Sequence, residues 1–516
     1  MQEFSRRQVL ELGLATAVVG TLSRPRTARG STAAGALGRS WADEFHQPAV
    51  RRSAHGVLPV RLIAVPGVVD IGAARPVTTF TYDGGLPGST WEIDPGDTLR
   101  IELVNDLPPR HDAGHAVEMD RPHEWTTTNL HTHGLHVSPV GNGDNVFITI
   151  EPGARHRYEI AVHEHHPGGL FWYHPHRHGG VTQQVRGGMA GLIVVRGEID
   201  HVPEVRAAAE RVMVIQGLEL DDDFRVPEPI PHPSATEAFY PRTQILYPIN
   251  GVLNPTIRMH PGEVQRWRML NAAEGKFLDL RLEGHDLHVL AWDGLTMAAP
   301  EPVPGVRLAA GNRVEALVRA GAPGTYRLML SPRSSQHPDP GFPPPPPPEL
   351  VTRPIATVVV DGRGPEMALP ASLPAWNPPI LPIARRREVT YTVQRGPGEE
   401  FLAFGVDGKA FDPAQTPYRV KLGTAEEWTV VNGVDHKYGE HAHGFHIHVN
   451  PFKVTEINRQ VLEKPLWRDT FELGGRSGDS FTFQSNFVDF TGRYVDHCHI
   501  LSHEDLGMME IVEVVR

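Results

Sequence analysis

The sequence predicts an all-β protein made of three consecutive copies of one unit. Its 516 residues include 51 Gly and 48 Pro, which favours short strands joined by many turns over a helical bundle. The length exceeds one typical domain and implies two or three cores. A pattern also recurs at intervals of about 160 residues, in "YDGGLPGSTWEIDPGDTLRIELVND" from Tyr82, "YPINGVLNPTIRMHPGEVQRWRMLNA" from Tyr247 and "FGVDGKAFDPAQTPYRVKLGTAEEWTVVNG" from Phe404. Each segment has a Gly-containing turn, a short strand, a polar turn and an alternating strand ending at Asn105, Asn271 or Asn432. In the first, Leu99, Ile101 and Leu103 alternate with Arg100 and Glu102, the period of a half-buried strand. The alternative is chance recurrence of aromatic, Gly and Asn landmarks at strand ends, since the spacing inside the copies varies. Boundaries near 203 and 365 divide the chain into units at 41–203, 204–365 and 366–516.

Ahead of the first unit, residues 1–36 carry paired Arg6 and Arg7, a modest apolar stretch and small residues at 34–36. This resembles a twin-arginine export signal and places the protein in the periplasm or outside the cell; an amphipathic first helix is the other reading. No later stretch has the run of about 18 apolar residues of a membrane span, so a soluble protein is expected. The proline run at 337–350 reads either as an interdomain linker or as a surface loop of the second unit; the alternating "PIATVVVDG" that follows favours the loop. A formal charge of -12, with 49 basic against 61 acidic side chains, argues against a nucleic-acid partner.

Cys498 is the only cysteine, so no internal disulfide forms. It is either an inert buried residue or a thiolate occupied by something else. Its setting, "VDHCHILSHEDLGMM", is one of four places where histidines are separated by a single residue: His131 and His133, His174 and His176, His446 and His448, His497 and His499. On a strand both rings of such a pair project from one face, roughly 6 to 7 Å apart, and the middle residue points away. One pair alone is weak evidence, because 29 histidines also produce pairs such as His163 with His165. The fourth cluster adds a thiol followed at five residues by His503 and at ten by Met508. With His443 from a neighbouring strand, this is the His, His, Cys set with a weak thioether that favours blue copper.

Together these clusters resemble the four copper-binding motifs of the multicopper oxidases, the family of laccases, cuprous oxidases and bilirubin oxidases, and the resemblance covers the whole mature chain. It implies three cupredoxin-like Greek-key β-barrel domains and four coppers. The type 1 copper would be held by His443, Cys498 and His503, with Met508 axial. His131 and His446 would hold type 2 copper, and His133, His174, His176, His448, His497 and His499 the type 3 pair. The trinuclear site would then lie between the first and third domains, with the second as a spacer. Cys498 with His497 and His499 would be the electron route, and Glu504 and Asp144 match acidic proton-relay positions, though either residue also reads as a solvated loop carboxylate. Met508 likewise also reads as simple core packing.

The implied activity is laccase-like: one-electron oxidation of phenols or aromatic amines coupled to four-electron reduction of dioxygen to water, in a protein expected to be a monomer. Alternatives are a metal oxidase acting on Cu(I) or Mn(II) in metal tolerance, and a non-catalytic exported scaffold or copper store. The 11 methionines are few for a Cu(I) specialist, and no ligand is missing as it would be in a scaffold. A copper nitrite reductase would normally have two such domains per chain. His111, His115, His123, His136, His163, His165, His166, His178, His436 and His441 lie near the motifs but outside the pattern, as surface, orienting or accessory copper-capturing residues.

Overall fold

In each third of the chain an Asx-Gly pair turns the backbone back on itself. Asp83–Gly84, Asn250–Gly251 and Asp407–Gly408 all have positive φ at both positions, between 50° and 79°, and the flanking residues close as bridges (Tyr82 with Gly85, Ile249 with Val252, Val406 with Lys409). Two successive positive φ values define the tight hairpin turn that Asn-Gly and Asp-Gly tolerate best. The leading side chain also pins a neighbouring strand: Oδ1 of Asp83, Asn250 and Asp407 accepts the N–H of Ile63, Val214 and Thr390 at 2.8 to 2.9 Å.

The recurring asparagines have an equally uniform role. Asn105 donates to the carbonyls of Thr126 and Ile150 and accepts from Leu107 N–H. Asn271 donates to Lys276 and Leu308 and accepts from Ala273. Asn432 donates to His441 and Gly474 and accepts from Val434. Each amide thus ties the end of its strand to two loops. Replacing Asn271, itself none of the candidate ligands, by Ala strands two carbonyls and one N–H. It is expected to cost about 3 kcal/mol, read as a lowered denaturant midpoint.

The protein is represented by a computed structural model that describes residues 44–109, 117–231, 239–241, 244–333, 351–395, 402–435 and 440–516. Residues 1–36, expected as an export signal, the proline run 337–350 and His111, His115 and His436 lie outside the described residues. The fold is all-β. Three cupredoxin-like domains follow one another, and each sheet takes its strands from one third of the chain. Strands between Val50 and Val195 make a five- and a four-stranded sheet. Those between Ala209 and Val360 make two five-stranded sheets and a small two-stranded one, and those between Ile383 and Val515 make a six- and a five-stranded sheet. In every third the leading long strand runs parallel to the one ending in the asparagine: Val57–Val69 with Thr98–Asn105, Ala209–Gln216 with Val264–Ala272, Ile383–Arg395 with Thr424–Asn432. Parallel neighbours require a crossover, here from one sheet to the other and back.

Thr98–Asn105 alternates as expected, with Leu99, Ile101 and Leu103 buried and Arg100 exposed. Each third closes on its own apolar cluster, around Trp91, Trp267 and Trp428 respectively. A further cluster, with Leu170, Trp172 and Leu192 against Val214, Leu270 and Ala272, joins the first third to the second. No helix among the described residues is long and apolar enough to cross a membrane.

Candidate metal centre

Two antiparallel strand pairs build the site. In the first domain His131–His133 pairs with Gly169–His174 in the register His131 opposite His174. In the third, His443–Ile447 pairs with Gly492–Cys498 so that His446 is opposite His497 and Phe445 opposite Cys498. Register therefore brings one histidine of each motif beside one of its partner motif. Only His131 and His133 lie wholly on a strand; His176, His448 and His499 sit one or two residues past a strand end. Alternation survives there, and ring centroids within the four pairs are 5.1 to 5.8 Å apart.

The two domains meet through these rings. His131 stacks on His448 at 3.9 Å and His133 on His446 at 3.8 Å, with the ring planes nearly parallel in both. All eight motif histidines are buried. By contrast His163 and His165, paired just as closely in sequence, are exposed and lie outside every group of three metal donors.

The nitrogens show what the cluster is prepared to hold. His131 Nδ1 faces Asp144 Oδ2 at 2.9 Å, and His174, His446 and His497 direct Nδ1 to the carbonyls of Pro175, Asp469 and Cys498 at 2.7 to 3.1 Å. A carbonyl only accepts, so Nδ1 carries the hydrogen and Nε2 keeps its lone pair. For His131, His174 and His446 that Nε2 is buried without a hydrogen-bond partner. Nε2 of His176, His448 and His497 converge to 3.0 to 3.3 Å of one another, and His133 Nδ1 lies 3.2 Å from His499 Nε2. Burial, reinforced by neighbouring positive groups, drives His133, His174, His446, His448 and His499 well below the ordinary imidazole pKa, and burial takes His176 and His497 down to about 3. Neutral imidazoles with lone pairs aimed at shared points are ligands awaiting cations. The donor set fits copper.

Behind Cys498 the chain folds a second, smaller site. The buried Sγ lies 3.6 Å from His443 Nδ1 and 3.7 Å from His503 Nδ1, and these nitrogens are 3.2 Å apart. A short helix, Leu501–Asp505, returns His503 to the thiol, and Cys498 N–H is donated to the Met508 carbonyl at 3.0 Å. Met508 is buried in the same apolar cluster as Cys498, and the Phe404 ring stacks on His503 at 4.2 Å. One thiol and two imidazoles in a dry pocket suit a soft, three-coordinate metal.

Neither acidic candidate is a solvated loop residue. Asp144 is buried and also accepts Thr132 N–H at 2.7 Å; burial alone would raise its pKa, but the His131 ring and the Thr132 hydrogen bonds hold it below the usual carboxylate range. Glu504 is buried with its oxygens 3.4 Å from His176 Nδ1 and 3.0 Å from His497 Nδ1. Those contacts fall off the hydrogen-bonding direction, and burial pushes its carboxyl up to about 7.

Three parts of this centre are silent in the histidine pattern. Asp469 and Thr470 back His133 and His446, and Arg313 from the second domain reaches Asp469. Gly311, at φ +84°, lies so near His499 that a Cβ there would meet the ring at 2.9 Å. The second domain, expected as a spacer, supplies none of the motif histidines and packs directly against the cluster through Gly311 and Arg313. The only available signal was a charged residue opening the alternating run "RVEALV". Of the remaining histidines, His123, His166, His178 and His441 are buried, and His136 bridges the Val449 carbonyl and Asp489. None of these five joins a group of three metal donors.

A thiol site joined through adjacent residues to an eight-histidine site defines a redox metalloprotein of the multinuclear kind. Residues 123–199, 226–342 and 382–516 each match a family model described as multicopper oxidase. The chain belongs to the multicopper oxidase family and is an oxidoreductase that uses oxygen. Among its relatives, the multicopper oxidase mco of Staphylococcus epidermidis is 23% identical over 441 residues, covering 84% of each chain. A laccase of Bacillus stratosphericus is 24% identical over 488 residues, covering 86% of this chain and 91% of its own. A Campylobacter jejuni multicopper oxidase, described as a metallo-oxidase, shares the fold with a TM-score of 0.72 and 23% identity over 92% of this chain and 95% of that one.

Proposed function

We propose that the protein is a laccase-like multicopper oxidase that takes single electrons from phenols or aromatic amines beside His503 and reduces dioxygen to water among the eight histidines. One observation carries this reading: the Cys498 site and the histidine cluster are consecutive residues of one strand end, so His497 and His499 join them covalently.

In this assignment His443, Cys498, His503 and Met508 would hold type 1 copper, His131 and His446 type 2, and His133, His174, His176, His448, His497 and His499 the type 3 pair. Bound copper, four ions per chain, supplies one-electron storage so that dioxygen receives four electrons together. The protein supplies the rest. Asp144 fixes the His131 tautomer, the dry pocket excludes water from Cys498, and Glu504 delivers protons to the cluster. The units at 41–203, 204–365 and 366–516 are its domains. Arg6 and Arg7 support export to the periplasm or beyond, and three domains in one chain support a monomer.

A metal-oxidase role is the second reading, favoured by the likeness to the Campylobacter jejuni metallo-oxidase and weakened for Cu(I) by the few methionines. Oxygen uptake by the copper-loaded protein against phenols, aromatic amines, bilirubin, Cu(I) and Mn(II) separates the two. Fastest uptake is expected with phenols or aromatic amines. Uptake with Mn(II) or Cu(I) alone establishes the second reading, and no uptake with any donor defeats both.

A further inference from the structure

Arg313 is a fully buried arginine whose five N–H groups all find acceptors. Nε donates to the Leu170 carbonyl at 3.1 Å, in the first-domain strand that ends at His174. One Nη1 hydrogen goes to the Gly311 carbonyl at 3.0 Å and one Nη2 hydrogen to the Asp293 carbonyl at 3.1 Å, both within the second domain. The remaining two form a fork onto Asp469 of the third domain, at 2.9 Å to Oδ1 and 2.5 Å to Oδ2. A single side chain therefore bonds to all three domains at one point.

That point lies directly behind two cluster histidines. The Asp469 carbonyl accepts His446 Nδ1–H at 2.7 Å. Thr470 Oγ1 is 3.2 Å from His133 Nε2, and Asp469 Oδ1 is 3.4 Å from it. Asn312 completes the grip, donating to the Thr470 carbonyl at 2.9 Å and to Asp293 at 3.0 Å. The planar guanidinium fork fixes both position and rotation of the carboxylate it holds. Hydrogen-bond partners one step behind a ligand set its orientation and the metal's affinity.

We propose that Arg313 is a positioning residue for the copper cluster: through Asp469 and Thr470 it sets the orientation of His446 and His133, so the second domain governs retention of the copper at His131 and His446. This rests on the assignment of those two histidines to type 2 copper. Asn312 and Asp293 of the second domain also bond to this backing, but they reach only the third domain, whereas Arg313 reaches the first as well.

The test uses the full copper-loaded chain. Arg313→Met keeps the buried methylene volume and removes the fork; Asp469→Asn keeps the backbone carbonyl that accepts from His446, removes the charge and replaces one of the two oxygens that accept the fork by an NH2 group. For both, copper per chain and the electron paramagnetic resonance spectrum are measured, with the type 1 signal as internal control. Either variant is expected to hold the copper at His131 and His446 about 10- to 100-fold more weakly, losing or shifting the type 2 signal while the type 1 signal stays. Unchanged copper content and an unchanged type 2 signal in the variants overturn the proposal. So does parallel loss of both signals in Asp469→Asn, which would mark a purely structural role. Should Arg313→Met not fold, Asp469→Asn decides alone. If the parent chain itself shows no type 2 signal, the assignment of His131 and His446 fails instead, a result distinct from any difference between parent and variant.

Discussion

Copper-loaded Cys498→Ser protein is expected to lose its blue absorption and to consume oxygen at less than about one thousandth of the parent rate, equivalent to about 4 kcal/mol of lost activation. The substitution is nearly isosteric in a fully buried position, so the fold should persist. What changes is the donor. Sulfur lies 3.6 and 3.7 Å from the two Nδ1 atoms, and a hydroxyl oxygen in its place is hard, weakly polarisable and neutral. Burial pushes the Cys498 thiol up to about 12, so without metal the sulfur keeps its proton. Metal uptake must expel that proton, which makes loading at this site more favourable as pH rises. The eight histidines do not depend on the sulfur, and copper bound among them should remain. An absorption spectrum, a copper determination and an oxygen electrode suffice. Oxygen consumption at the parent rate would show that electrons enter elsewhere.

Much of this centre was legible because histidine pairs report strand geometry directly. A period of two puts His131 with His133 and His497 with His499 on common faces wherever those segments fold as strands, and no distant residue is needed to infer it. The same holds for the Asx-Gly turns, whereas Asn105, Asn271 and Asn432 mark strand ends in the sequence but donate to loop carbonyls 5 to 45 residues away, which only the fold brings near. Which histidines share a nitrogen contact was a different matter. His131 stacks on His448 across two domains, a relation set by register and docking that spacing within one motif does not encode. Arg313 was harder still, since its partner Asp469 is 156 residues away and neither residue belongs to a recurring pattern. A charged residue at the head of a buried strand draws attention only once burial is known. Met508 lies between these cases: its distance from Cys498 in sequence made it a candidate, while the backbone bond from Cys498 N–H to its carbonyl appears only in the fold.

The second large effect is expected for Glu504→Gln, which should lower oxygen-reduction turnover by about 10²- to 10⁴-fold. Forming water from dioxygen consumes protons inside a pocket where burial keeps the rings of His133, His174, His176, His446, His448, His497 and His499 neutral, so those rings carry no extra proton to release. Glu504 is the carboxyl that reaches in. It stands on the helix carrying His503, fully buried, within 3.4 Å of His176 and 3.0 Å of His497, and its oxygens accept no hydrogen bond. Asp144 differs in that both its oxygens are occupied, by His131 and by Thr132 N–H, so it orients a ligand more than it moves a proton. Glutamine retains the size and polarity of Glu504 but cannot give up or accept a proton at that position. Electron entry should therefore be untouched: with oxygen excluded, reducing substrate should bleach the blue absorption of Glu504→Gln as fast as that of the parent. Reoxidation on admitting oxygen should be the slow step. Equal slowing of bleaching and reoxidation would assign Glu504 to the support of the Cys498 site, and parent-like turnover would move the proton source away from this carboxyl altogether.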